Sequence, residues 1–102
     1  MLVVKNLMNS EEKEDKAKII YNYRLIKEDY LSGQAYGIEV ERQDFVEGVL
    51  VKIERDEIRK ISNIKEKVNN LLEIIHKNKV SPIHIVDILG EYVDNYVIDF
   101  SL

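Results

Sequence analysis

The chain has 102 residues and a net charge of −4, with 45% apolar and 33% charged side chains. That length is one domain's worth and can bury a core of its own. The absence of Cys removes disulfides, thiolate zinc sites and thiol nucleophiles, and the acidic balance argues against phosphate-backbone binding, which needs clustered Lys and Arg.

Residues 1–8 (MLVVKNLM) are short and apolar, either a strand or a peptide docked on the core. The apolar start breaks at Lys5 and Asn6, too early for a secretory signal. No later apolar run approaches the ~20 residues of a membrane helix. A soluble, cytoplasmic protein is expected. Asn9–Lys18 (NSEEKEDKAK) is almost wholly polar and reads as a flexible linker. Residues 1–18 are therefore expected to precede a single domain over 19–102.

Ile19–Lys27 alternates, with Ile19, Tyr21, Tyr23 and Leu25 on one face, and reads as a strand. Asp29–Gly33 is a turn-rich connection. Ala35–Glu41 reads as the second strand, with Tyr36, Ile38 and Val40 on one side and Gly37, Glu39 and Glu41 on the other. Gly37 suggests a bulge or a close cross-strand approach. Arg42–Asp44 reads as a hairpin break and Phe45–Glu54 as the third strand. Arg55–Ser62 is either a turn with a short fourth strand or an extended lead into a helix.

Asn63 and Glu66 fit a capping box opening a helix to Asn78, with Ile64, Val68, Leu71, Leu72 and Ile75 on one face. Ser81 and Pro82 then open a second helix to Asn95, whose apolar stripe is Ile85, Val86, Leu89, Tyr92, Val93 and Tyr96. Gly90 in that helix suggests close packing against a neighbour. Val97–Leu102 is apolar, an edge strand or a packed tail. The fold expected is α+β: a three- to four-stranded antiparallel β-meander followed by a two-helix hairpin packed on one sheet face.

Chemistry-bearing patterns are scarce. His76 and His84 lie on different helices with no HxxxH pair, so no metal site is expected. The glycines are scattered and no Ser has a nucleophile-elbow context, so no catalytic residue and no cofactor is expected. The second helix lacks Lys and Arg, which argues against a DNA-reading helix. Tyr21, Tyr23 and Tyr36 fit the core rather than base stacking. Two sets of carboxylates are candidate partner contacts. Asp87, Glu91 and Asp94 recur at i, i+4 and i+7 along one side of the second helix. Glu39 and Glu41 share one strand face.

The stretch Tyr36-Gly37-Ile38-Glu39-Val40, then Ile61-Ser62, then Val80-Ser81-Pro82-Ile83-His84-Ile85 with Asp87, resembles a family of short uncharacterised proteins from clostridia-type Gram-positive bacteria. In that family a YGI-like strand motif precedes a helix pair joined by an SPxHL-like element. Here Ile85 stands where Leu is commoner. The resemblance implies a compact bacterial domain and carries over no activity. The expected function is a small acidic, non-catalytic protein-interaction module, a regulator or adaptor. The open meander edges favour a homodimer. The alternatives are an inhibitor of a nucleic-acid-processing complex of phage or mobile-element type, and a small-molecule-binding domain with a pocket near His84.

Overall fold

The computed structural model describes residues 1–101. Four antiparallel strands form one sheet in the order β1-β2-β3-β4: β1 (Leu2–Glu12), β2 (Ala17–Tyr30), β3 (Gly33–Val46) and β4 (Val49–Ser62). Helix α1 (Lys65–Lys77) follows. A 3₁₀ turn (Pro82–His84) then leads into α2 (Ile85–Tyr96), and a second 3₁₀ turn spans Val97–Ser101. The expected α+β architecture is present, with the full complement of four strands.

The strands are longer than the hydropathy pattern suggests. The expected linker is mostly strand: β1 runs to Glu12 and β2 starts at Ala17. Its polar side chains are tolerated because β1 is an edge strand. The expected break at Arg42–Asp44 does not exist. Those residues continue β3, opposite Tyr21, Ile20 and Ile19. Arg42 lies 5.8 Å from the centroid of the cross-strand Tyr21 ring and its Nε is 2.8 Å from Asp44 Oδ1 on its own strand, so both polar residues have partners within the ladder. The hairpin turns instead at Glu47-Gly48, both at positive φ (51° and 80°), the signature of the mirror-image two-residue turn. The β2–β3 hairpin is also two-residue, and Leu31 takes φ 56° there while 83% exposed.

One face of the sheet carries the core. Ile19, Tyr21, Tyr23 and Leu25 of β2 join Ile38 and Val40 of β3, with Ile61 at the end of β4. Onto them pack Val68, Leu71, Leu72 and Ile75 of α1 and Ile85 and Leu89 of α2. The helix stripes are narrower than expected. Ile64, Val86 and Tyr92 are exposed, and open space surrounds Gly90. The expected capping box is also absent. Ile64 occupies the N-cap, its N–H donates to Ser62 Oγ at 3.0 Å, and Asn63 donates to Asp99 O. The tail is a 3₁₀ turn rather than a strand, held by Asp99, which accepts from Ser62 Oγ (2.6 Å) and Lys67 Nζ (3.0 Å). Leu102 lies outside the described residues.

Gly37 is the tightest point. The β3–β4 register shifts between Tyr36 and Ile38, and a Cβ on Gly37 would stand 2.2 Å from Ile58 O and 2.4 Å from Arg59 O. Both neighbours are backbone and cannot swing aside. Gly37→Ala is expected to destabilise the fold by about 2 kcal/mol or more, read as a lowered urea midpoint. Leu31→Gly should raise that midpoint, because a non-glycine residue at left-handed φ costs about 1 kcal/mol and an exposed Leu31 has little packing to lose.

Candidate interaction site

The two sets of carboxylates have opposite fates. Antiparallel partners share a face, so the register places Asn6, Arg24, Glu39 and Glu57 in one row of the open face. Met8, Asn22, Glu41 and Arg55 form the next row. Arg24 reaches both glutamates, donating to Glu39 Oε1 at 2.7 Å and to Glu41 Oε1 at 3.1 Å. Arg55 Nε donates to the other oxygen of Glu41. Glu41 is 3% exposed although no helix covers it. Burial pushes its carboxyl upward, but the hydrogen bonds and charges of Arg55 and Arg24 outweigh this and hold it below the ordinary carboxylate range. Glu39 and Glu41 are brought together as expected, but inside a salt-bridge network rather than on a solvated recognition face.

On α2 the arrangement is reversed. Ile85 and Leu89 turn inward, and Asp87, Glu91 and Asp94 lie exposed on the far side. Among the described residues none of the three forms an ion pair, whereas Glu39, Glu41, Asp44 and Asp99 all do. The row is bordered by apolar side chains that the core does not take: Val86, Ile88 and Tyr92 on α2 are 53%, 42% and 39% exposed, and Ile83 just before it 67%. Acidic and apolar surface therefore alternate across one helix.

His76 serves the fold. His76 stands edge-on to Tyr23 at 5.6 Å between ring centroids, and its Nε2 donates to Met8 O at 3.1 Å. His84 is exposed at the start of α2. Among the described residues no three His, Asp or Glu side chains gather closely enough to hold a metal ion. A recess of about 400 Å³ lies far from His84, at the opposite end of the sheet, with Lys13, Lys16 and Lys18 around Ile20 and Phe45. No local sequence pattern reveals the Ser62–Asp99–Lys67 cluster, because Asp99 lies 37 residues from Ser62 and 32 from Lys67 in the chain.

With this geometry in place, the chain matches a family of unknown function (DUF6514) over residues 1–95. The protein belongs to that family. Neither a curated protein nor a solved structure matches the chain. No described helix is long and apolar enough to cross a membrane.

The network around Glu41 has a pH signature. Glu41 and Asp99 are both held below their ordinary pKa, so each contributes its full stabilisation above that ordinary value and loses it as pH falls below it and through the lowered folded-state value. The melting temperature should drop as pH is lowered from about 5 toward 3. Glu41→Gln should cost about 2 kcal/mol at neutral pH, and its melting curve should converge on that of the parent protein in acid.

Proposed function

We propose that this protein is a non-catalytic interaction module, a small regulator or adaptor of the bacterial cytoplasm, and that it binds its protein partner through the outer side of α2. The observation that carries this reading is the row Asp87, Glu91 and Asp94: three exposed carboxylates without ion-pair partners among the described residues, set among exposed Ile83, Val86, Ile88 and Tyr92. The complementary surface is a basic amphipathic segment. Its Lys or Arg would meet the carboxylates and its apolar side chains would lie over Val86 and Tyr92. Charge of this kind sets association rate and partner choice, while the desolvated apolar contacts supply most of the affinity. Glu39 and Glu41 drop out of this reading as contacts, since their charge is already satisfied within the sheet.

A second reading, binding of a small anionic ligand, draws support from the recess over Ile20 and Phe45, which is lined by Lys13, Lys16 and Lys18 together with Glu12. A ligand seated there would raise the melting temperature in proportion to its saturation.

The α2 reading is tested with a partner recovered from nuclease-treated lysate and then purified. Asp87→Lys with Glu91→Lys should weaken its binding about tenfold or more. Stability should change by less than about 0.5 kcal/mol, because both positions are exposed. Unchanged affinity in the doubly reversed protein would remove α2 from the account. Loss of partner binding on Lys16→Glu alone would instead move the protein contact from α2 to the surface around Lys16.

A further inference from the structure

We propose that the first half of β4 is a dimerisation edge, and that its partner is the same strand of a second copy, running antiparallel and centred on Ile53. The proposal is independent of the α2 surface.

The edge itself is open. β4 ends the sheet, and Val49, Val51 and Ile53 are 62%, 59% and 44% exposed. An exposed apolar edge is a template for another strand. The remaining edge is less suited. Both edges carry a register shift, β1 between Val3 and Lys5 and β4 at Val51, but on β1 His76 also occupies Met8 O. On β4 the open stretch stops near Asp56, whose carboxylate accepts the Glu57 N–H at 2.8 Å.

Charge selects both the occupant and the register. Two identical antiparallel strands related by a two-fold axis pair residues equally distant from the centre. Centring on Lys52 would set two lysines face to face, and centring on Glu54 two glutamates. Centring on Arg55 would oppose Glu54 and Asp56. Like charges directly opposite are destabilising. Centring on Val51 would require Leu50 to face Lys52. Leu50 pairs with Phe45 and Lys52 with Asp44, so those two side chains lie on opposite faces and cannot meet. Centring on Ile53 has neither fault over Val51–Arg55; beyond that stretch Leu50 and Asp56 lie on opposite faces, so the ladder between copies ends there. Ile53 meets itself, Val51 meets Arg55, and Lys52 of each copy meets Glu54 of the other. Within one chain Lys52 and Glu54 already lie 2.7 Å apart on the same face, so the pair can exchange partners without moving far.

The test uses the full chain. Sedimentation velocity should give twice the single-chain mass of 12.0 kDa. Because the protein has no Cys, Ile53→Cys supplies one thiol at the two-fold axis, and mild oxidation should yield a covalent dimer on a non-reducing gel. Ile83→Cys, exposed on the helical side, should not crosslink. Lys52→Glu alone should weaken the dimer roughly tenfold, and Lys52→Glu with Glu54→Lys should restore it. Circular dichroism confirms that each variant is folded. A single-chain mass at millimolar protein would overturn the proposal. So would a dimer that crosslinks through Met8→Cys and not through Ile53→Cys, or a charge swap that fails to restore association.

Discussion

A mismatch of lengths governs this molecule. Strands β2 to β4 each have 14 residues, about 46 Å of extended chain. Helix α1 has 13 and spans about 20 Å. Two short helices cannot cover a sheet of that length, so the molecule measures 52 × 23 × 17 Å and the helices protect only part of one face. The burial pattern follows. Core residues of β3 cluster at Ala35–Glu41, and the Glu47-Gly48 hairpin projects beyond the helices with Val46, Val49, Leu50 and Val51 exposed. The surplus apolar surface at the hairpin and on α2 is what remains after the small core is filled.

What fixes the helices at one end is a short list of polar contacts in an otherwise apolar seam. Tyr23 is fully buried, and its hydroxyl donates to Val80 O at 3.0 Å, in the link between the helices. Burial pushes its phenol well above the ordinary range, so it remains a neutral donor. Asn9 donates to His76 O at 2.7 Å, satisfying a carbonyl in the last turn of α1. Lys5 donates to Asn69 at 3.0 Å. At the far side, Asp99 ties the tail to Ser62 and Lys67. Apolar burial is non-directional and would permit the helix pair to slide along the sheet. These directional bonds select one position.

The sequence announced the elements better than their partnerships. Alternation in Ile19–Lys27 and Ala35–Glu41, and the 3.6-residue period from Val68 to Ile75, reported burial directly, since the core is built from those side chains. The polar stretches misled for one reason. Hydropathy records what a side chain prefers in isolation, whereas Arg42 and Asp44 pair with each other along β3 opposite Tyr21 and Ile19, and the end of β1 is held by its ladder to β2. Misplacing one turn then hid the rest. With a break at Arg42–Asp44, Glu41 would end a strand and would not face Arg55. With the turn at Glu47-Gly48, it lies opposite Arg55. The tell-tale was Gly48 between Phe45-Val46 and Val49-Leu50, a glycine where a two-residue hairpin needs positive φ.

The distribution of charge then separates structural from available carboxylates. A carboxylate left unpaired near a sheet would have to be hydrated or neutralised, so the open face, where Glu39 and Glu41 stand side by side, carries Arg24 and Arg55 beside them. Asp99, buried at the tail, carries Lys67. No such pressure acts on Asp87, Glu91 and Asp94, because they are exposed to water, and a folding requirement does not explain a run of acids without compensating bases over residues 81–102. Nor does solubility explain it, since the same helix exposes Val86, Ile88 and Tyr92. A surface kept for solvent alone would replace those apolar residues before adding acids. That combination is why we propose a partner that brings its own positive charge and its own apolar side chains.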